Sequence, residues 1–148
     1  MKLKDLKCSV HKLDSNGKFY IDIVNIQNSP WIPYLKNKNT KHILDSFKAT
    51  RTNKDHPNDY SYPFDKFDKL VSSIKKHGYR NDFCNNPTFQ DKFNGTNWPG
   101  GKKQIFINPN CEICDGHHRC AILYHIYGPE FSINVINGKI QNIPPLNN

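Results

Sequence analysis

Residues 111–128 read CEICDGHHRCAILYHIYG, and they hold the strongest structural pattern in the chain. The residues before Asp115 and Gly116 predict a short strand, and HHRCAILYHIY predicts a helix that ends at Gly128 and Pro129. A strand that leads directly into a helix indicates a domain in which a sheet and helices pack together. The turn between the two elements is the first place to look for a functional site.

The cysteines of this stretch suggest a metal or redox site, but their spacing disfavours both. Cys111 and Cys114 are three residues apart, so in a strand their side chains point to opposite faces. His117 and Cys120 share a helix face, yet Cys111 lies too far back along the strand to join them. Redox pairs of the thioredoxin type stand at a helix start, whereas these cysteines precede the turn. We therefore expect no metal site, and small cysteines buried along the strand and the helix.

The rest of the chain alternates between hairpins, helices and irregular stretches. A hairpin is predicted for residues 9–26, with its turn at Asn16 and Gly17. Residues 28–63 are rich in Pro, Asn and Lys and predict a long loop or lid, with a short helix around 41–48. The further predictions are a helix at 64–78, an irregular stretch at 79–103, strands at 104–107, 111–114 and 131–136, and a strand pairing back at 139–143. The expected fold is a small single α+β domain, residues 1–148, with helices packed on a mixed sheet.

Composition limits the classes of function. The chain has 148 residues and a net charge of +8, but its 21 basic residues comprise 18 Lys and 3 Arg scattered along the sequence. Abundant Lys, Asn and Ile is typical of an AT-rich genome, so nucleic acid is not expected as a partner. No apolar run approaches the length that spans a membrane, and no signal peptide is recognisable, so a cytoplasmic protein is expected. Five cysteines without an export signal indicate reduced thiols.

The junction at Asp115 and Gly116 has the features of a phosphate-binding loop. The first backbone N–H groups of a helix have no partners inside it, and the helix dipole adds partial positive charge there. Gly116 would let a ligand approach the backbone, and His118 and Arg119 add hydrogen-bond donors. The alternative is an ordinary helix start that Asp115 caps.

Two stretches resemble the ParB/sulfiredoxin-like superfamily. IFINPNCEICDGHHRCAILYHIYG resembles its strand, Gly-x-His-Arg-type loop and helix, and FDKLVSSIKKHGYRND resembles the helix and turn before them. Together they cover roughly residues 63–136. In a sulfiredoxin the catalytic cysteine stands directly before the His-Arg pair, where this chain has His117. ParB proteins that partition chromosomes usually carry a helix-turn-helix domain, and this sequence shows none. DGHHR is most similar to the branch with a Asp-Gly-His-x-Arg loop that phosphorylates free serine.

The resemblance implies a role for each residue of the loop. Asp115 and His117 would be catalytic, with Asp115 orienting or deprotonating the substrate hydroxyl. The expected cofactor is ATP or ADP with Mg²⁺. The residues expected to bind its phosphates are those of the loop and one arginine of the lid: Gly116, His117, His118, Arg119 and Arg51. Members of that branch also use an acidic residue from the N-terminal part as a base. The two glutamates of this chain lie elsewhere. The candidate substitutes lie in the long loop, with Asp45 as the first choice beside His42, Arg51, Asp55, His56 and Asp59.

The predicted function is a kinase that transfers phosphate from ATP or ADP to the hydroxyl of a free amino acid, with L-serine giving O-phosphoserine as the first expectation. The alternatives are a CTP- or ATP-binding ParB-like module that switches a DNA or protein partner, and a ParB-like nuclease. The nuclease would suit the basic charge, but the sequence lacks a distinct cluster of metal-binding carboxylates.

Overall fold

The computed structural model describes residues 1–54, 62–81 and 105–146, apart from the side chains of Asn53 and Lys54. The described residues form an α+β fold with one continuous hydrophobic core, so the predicted fold class is confirmed. In chain order the strands and helices are β1 (Lys7–Leu13), β2 (Phe19–Asn25), α1 (Trp31–Asn37), α2 (Lys41–Lys54), α3 (Phe64–His77), β3 (Phe106–Ile107), β4 (Ile113–Asp115), α4 (His117–Tyr127), β5 (Val135–Ile136) and β6 (Lys139–Ile140).

The N-terminal hairpin forms as predicted. β1 and β2 pair antiparallel from Lys7 opposite Asn25 to Leu13 opposite Phe19. The loop between them is closed by Asp14, whose Oδ1 accepts the backbone N–H groups of residues 16 and 18, both at 2.9 Å. A short carboxylate that bonds its own backbone is a usual device of such turns.

The second sheet has the order β4-β3-β6-β5, and all its pairs are antiparallel. A single mixed sheet was expected. β3–β4 and β5–β6 are instead joined by short turns, and a short turn forces antiparallel pairing. Among the described residues, one parallel bridge occurs, between Lys7 of β1 and Glu112 just before β4. It links the two sheets.

Residues 28–54 are largely helical, so the prediction of a long loop is wrong for them, whereas residues 55–61 lie outside the described part of the chain. Pro30 stands just before α1 and Pro33 lies in its first turn, where a missing backbone N–H costs nothing. The Asn39 side chain accepts the N–H of Lys41 at 3.1 Å, where α2 begins. The prolines and asparagines of this segment thus start helices. Both helices are anchored in the core by four buried residues, namely Ile32, Tyr34, Ile43 and Ala49.

The two helices predicted in the second half of the chain are confirmed. α3 buries Phe67, Leu70 and Ile74 at helical spacing and ends at Gly78. α4 is the central helix of the core, because its residues 119–123 are all buried. A helix that is covered on nearly every side must pack against several elements, and α4 contacts both α1 and α3. In the part of the chain that the structure describes, no helix is long and apolar enough to cross a membrane.

Candidate functional site

The site is built where β4 meets α4. β4 ends with Asp115, which pairs with Phe106 of β3, and α4 begins two residues later. Gly116 connects them with φ of +93°, a left-handed conformation that glycine adopts without strain. A Cβ on Gly116 would lie 2.7 Å from Cγ1 of Ile105. The glycine is therefore required by the approach of the protein's own core, and the predicted reason, approach of a ligand, is not needed to explain it.

Among the described residues, no side-chain hydrogen bond caps the N-terminus of α4. The residue before the helix is Gly116, and Oδ1 of Asp115 accepts the Gly116 N–H at 2.9 Å, outside the helix proper. Asp115 thus does not act as the ordinary helix cap that was the alternative interpretation. The first N–H groups of α4 keep their capacity to bind an anion, and the dipole favours one there.

Two buried polar atoms stand beside this helix start. Oδ2 of Asp115 and Nε2 of His117 are both shielded from solvent and have no hydrogen-bond partner among the residues that the structure describes. Leaving a buried polar atom unsatisfied costs roughly 1–3 kcal/mol. Burial lowers the pKa of His117, and the charge of Asp115 opposes that effect. The pair is therefore a carboxylate next to a neutral imidazole, each with a buried atom that no described residue satisfies.

His118 faces a different environment. Its ring lies 4.6 Å from the Trp31 ring and 5.9 Å from the Phe67 ring, and its Nε2 is 2.9 Å from Oη of Tyr62. Nε1 of Trp31 donates to the same Oη at 3.0 Å. The structure thus places His118 in an aromatic cluster, with its Nε2 bonded to Tyr62, and its predicted contact with phosphate would need a rearrangement.

The protonation state of His118 follows from its surroundings. Burial lowers its pKa to about 3, with the neighbouring His117 and Arg119 adding to the effect. Burial also raises the pKa of Tyr62, so its hydroxyl keeps its proton. Tyr62 accepts the Trp31 N–H and donates its own O–H to Nε2 of a neutral His118. This chain of hydrogen bonds fixes the first turn of α4 against α1.

Arg119 is buried in the first turn of α4, with 3% of its surface exposed. Its positive charge reaches His118 and Cys120: it lowers the pKa of both, although burial raises the thiol's pKa more strongly. The charge of Arg119 lies at the helix start where the predicted phosphate contact would need it.

The two lid residues that were predicted to join the site lie on α2. Asp45 is solvent-exposed and pairs with Lys41 at 3.4 Å. It lines a cavity of about 780 Å³, and none of residues 115–119 is in the described lining of that cavity. The Arg51 guanidinium lies over the Phe47 ring at 5.6 Å. The structure thus does not bring Asp45 together with the loop, and it gives Arg51 a packing contact within α2.

One residue near the site was missed at the sequence level. His11 of β1 lies close enough to His117 for its charge to lower the pKa of that residue. Nδ1 of His11 is 2.6 Å from Oγ1 of Thr50, and that hydroxyl donates to the Ser46 carbonyl at 3.0 Å. His11 must therefore donate through Nδ1, which leaves the lone pair of the neutral ring on Nε2. A lone histidine in a strand carries no pattern that predicts such a contact.

The cysteines take separate positions. Cys8 and Cys120 are buried, and burial raises the pKa of Cys8 to about 12. Cys111 lies in the turn before β4 with φ of +64°, and Cys114 is exposed on β4. Over residues 1–54, 62–81 and 105–146, no group of three or more His, Cys, Asp or Glu side chains is arranged to hold a metal ion.

Comparison with known proteins gives no relative: no family model, no curated protein and no solved structure matches this chain. The function is therefore argued from the residues of the site.

Proposed function

We propose that the protein is a nucleotide-dependent kinase that transfers phosphate from ATP or ADP to the hydroxyl of a free amino acid, with L-serine as the first candidate. One observation carries the proposal: a carboxylate oxygen and an imidazole nitrogen, both buried and without partners among the described residues, flank an uncapped helix N-terminus. A ligand that brings both a hydroxyl and a phosphate would satisfy all three features.

The phosphate half of the ligand belongs at the start of α4. Backbone N–H groups and the helix dipole attract its negative charge. His117 is neutral, so it contributes a hydrogen bond and no charge. The buried charge of Arg119 in the same turn adds to the positive potential of the helix start. Such a set stabilises charge on a phosphoryl group during transfer, which is most of what catalysis of this reaction requires.

The hydroxyl half belongs at Asp115. Its Oδ1 is held by the Gly116 N–H, which fixes the carboxylate and leaves Oδ2 for the substrate. In the transfer, the acceptor oxygen forms a bond to the terminal phosphorus, the bond from that phosphorus to the remaining nucleotide breaks, and the hydroxyl proton passes to Oδ2. Asp115 then acts as the general base.

Magnesium fits this site as an ion that enters with the nucleotide. In such sites Mg²⁺ keeps several waters and binds the substrate phosphates, so it would enter on the nucleotide and leave Oδ2 of Asp115 for the hydroxyl. When bound, the ion would neutralise charge on the phosphates. Asp45 is not needed for this arrangement, and His118 acts by fixing the helix start through Tyr62.

The direct test is phosphorus NMR with ATP or ADP, Mg²⁺ and one candidate acceptor at a time. Serine, homoserine and ethanolamine share a primary hydroxyl and an ammonium group; homoserine is one methylene longer than serine, and ethanolamine lacks the carboxylate. We expect nucleotide conversion only with an acceptor present, and a new phosphomonoester signal. Absence of any acceptor-dependent product across the series would reject the kinase.

The catalytic assignment predicts a difference between two aspartates. Asp115→Asn should lower turnover roughly 100-fold or more, because it removes the base, while nucleotide affinity stays within about twofold by calorimetry. Asp45→Asn is the matched control, since it removes an exposed carboxylate that lines another cavity. Equal turnover in the two variants would contradict the role of Asp115.

A second candidate is a nucleotide-binding module that switches a protein partner without catalysis. The observation that favours it is on β2, where Tyr20, Ile21 and Ile23 are 44%, 54% and 45% exposed. One edge of β2 pairs with β1, and no described strand covers the other. Such a module should change its sedimentation or its partner binding with nucleotide and should form no phosphomonoester with any acceptor, whereas the kinase should form one.

A further inference from the structure

A second candidate site is an open cavity between β1, α1 and α2. We call it the α2 cavity; it has a volume of about 780 Å³ and is lined by residues 10–13 of β1, the segment 27–30, α1 and α2. This volume is in the range of pockets that bind small molecules. The described lining contains no residue of the 115–119 loop, so the cavity is separate from the site proposed above.

The lining of the α2 cavity is positively charged. It includes Lys12, Lys36 and Lys48, against the single carboxylate of Asp45. Asp45 is already paired with Lys41, which is not in the described lining, at 3.4 Å.

Of the three lysines, only Lys12 forms an ion pair with a described residue. Lys12 pairs with Asp22 at 2.7 Å. Lys36 and Lys48 make no ion pair with any residue in the described part of the chain. Two lysines that form no ion pair with a described residue therefore line one cavity, and His11 and His42 lie in the same wall.

A buried hydroxyl provides an independent sign of a ligand. Ser29 lines the cavity and is 2% exposed, and its Oγ has no hydrogen-bond partner among the described residues. Its backbone is fully used, with the N–H donating to Ile26 and the carbonyl accepting from Ile32. A buried serine whose side chain bonds nothing is costly unless a bound group satisfies it.

We propose that the α2 cavity binds a small organic phosphate, with Lys36 and Lys48 neutralising the phosphate and Ser29 donating a hydrogen bond to it. A phosphate dianion offers charge for both lysines and oxygens for the hydroxyl at once. This site goes beyond the kinase proposal, because it shares no residue with the loop and needs no phosphoryl transfer.

The test uses glycerol 3-phosphate as probe, followed by two-dimensional amide NMR on the whole chain. Binding should shift the amide signals of residues in the cavity wall, such as Ser29 and Asn37. The double variant Lys36→Gln/Lys48→Gln should weaken binding by roughly tenfold or more, as expected for the loss of charge-assisted hydrogen bonds. Lys18→Gln/Lys69→Gln is the matched control, because it removes the same charge from exposed lysines outside the described lining.

Three results would overturn the proposal: no binding by the wild type, equal loss of affinity in the two double variants, or equal affinity for succinate. Ser29→Ala should also lower the affinity while leaving the unliganded protein at least as stable in urea, since it deletes an unsatisfied hydroxyl. Unchanged affinity in Ser29→Ala would count against the site as well.

The outcome is independent of the kinase proposal. Asp115→Asn should bind glycerol 3-phosphate like the wild type, whether or not the protein transfers phosphate to an acceptor. Loss of binding in Asp115→Asn would show that the cavity and the loop form one site, and would overturn the inference drawn here.

Discussion

Gly116 holds the chain in a conformation that other residues resist. Its φ of +93° lies in the left-handed region, and its Cα faces the side chain and backbone of Ile105. Two separate costs would therefore fall on any larger residue: backbone strain and overlap with the core. The orientation of Asp115 and the start of α4 both depend on this one position.

Gly116→Ala is therefore predicted to destabilise the protein by about 2–4 kcal/mol, as the sum of a left-handed alanine and a crowded contact. Gly17→Ala is the control, because Gly17 has φ of +77° but no atom within 4 Å of the added Cβ. It should cost only about 1 kcal/mol. Urea unfolding of both variants measures the difference. Equal losses would mean that the contact with Ile105 does not matter.

The three residues 117–119 also show what a motif can and cannot predict. Successive residues of a helix point about 100° apart, so His117, His118 and Arg119 cannot all face one ligand. DGHHR predicted the strand, the turn and the helix start, and each of these is present. The direction of His118 depends on Trp31 and Tyr62, which come from distant parts of the chain. No local pattern contains that information.

The buried state of His118 predicts a pH dependence of stability. Its pKa is lowered from 6.5 to about 3 in the folded protein, so the unfolded state takes up the proton first as the pH falls. The stability that neutral His118 contributes is complete above pH 6.5 and is lost as the pH falls towards 3, at up to about 1.4 kcal/mol per pH unit.

Between pH 7 and pH 5 the wild type should therefore lose roughly 2 kcal/mol more than His118→Gln, which cannot titrate. The free energy of unfolding in urea at the two pH values gives this difference. Tyr62→Phe removes the hydrogen bond but keeps the burial, so it should retain most of the wild-type slope. Parallel pH profiles for wild type and His118→Gln would show that His118 is not shielded from solvent.

At the scale of elements, composition misled the prediction for residues 28–63. Pro, Asn and Lys are common in loops, but Pro30 and Asn39 stand at the positions that begin helices. The decisive contribution is tertiary, since Ile43 of α2 is 1% exposed. The amphipathic pattern of α3 was strong enough to be read directly, whereas α2 gains its burial from β1, a partner that its own sequence does not reveal.

Substitutions at two adjacent residues of α2 can distinguish a helix that packs on the core from a lid that moves freely. Ile43→Ala should destabilise the protein by about 2–4 kcal/mol, because it leaves a cavity in the core. Leu44→Ala should change stability by less than about 0.5 kcal/mol, since Leu44 is 44% exposed. Urea unfolding measures both variants. A small effect of Ile43→Ala would indicate that α2 does not pack as a helix on β1.

At the scale of the whole molecule, the first residues of the described chain are joined to a segment near its other end. The N–H of Leu3 donates to Phe131 at 3.0 Å, and the N–H of Ile133 donates to Met1 at 2.8 Å. Lys2 and Lys4 both pair with Glu130, at 2.7 and 2.8 Å. Hydrophobic packing and ion pairs thus stabilise the same junction, and we expect them to contribute different amounts to the free energy of unfolding.

We expect the packing of Leu3 to contribute more to the stability of this junction than the ion pairs of Glu130. Leu3 is fully buried, so Leu3→Ala is predicted to cost about 2–5 kcal/mol. The hydrogen bonds from Lys2 and Lys4 lower the pKa of Glu130 to about 2, but its carboxylate lies in solvent, where ion pairs contribute little and salt screens them. Glu130→Gln should therefore cause only a slight loss of stability, measured by urea unfolding at pH 7, and even that loss should vanish at high salt.

The pH dependence separates the two variants further. Because the folded pKa of Glu130 is lowered, its contribution is present above the ordinary carboxyl pKa and is lost as the pH falls towards 2. Glu130→Gln should therefore match the wild type in strong acid, whereas Leu3→Ala should remain less stable at every pH. A loss in Glu130→Gln as large as that in Leu3→Ala, and insensitive to salt, would mean that the ends are joined by charge and that the buried leucine is secondary.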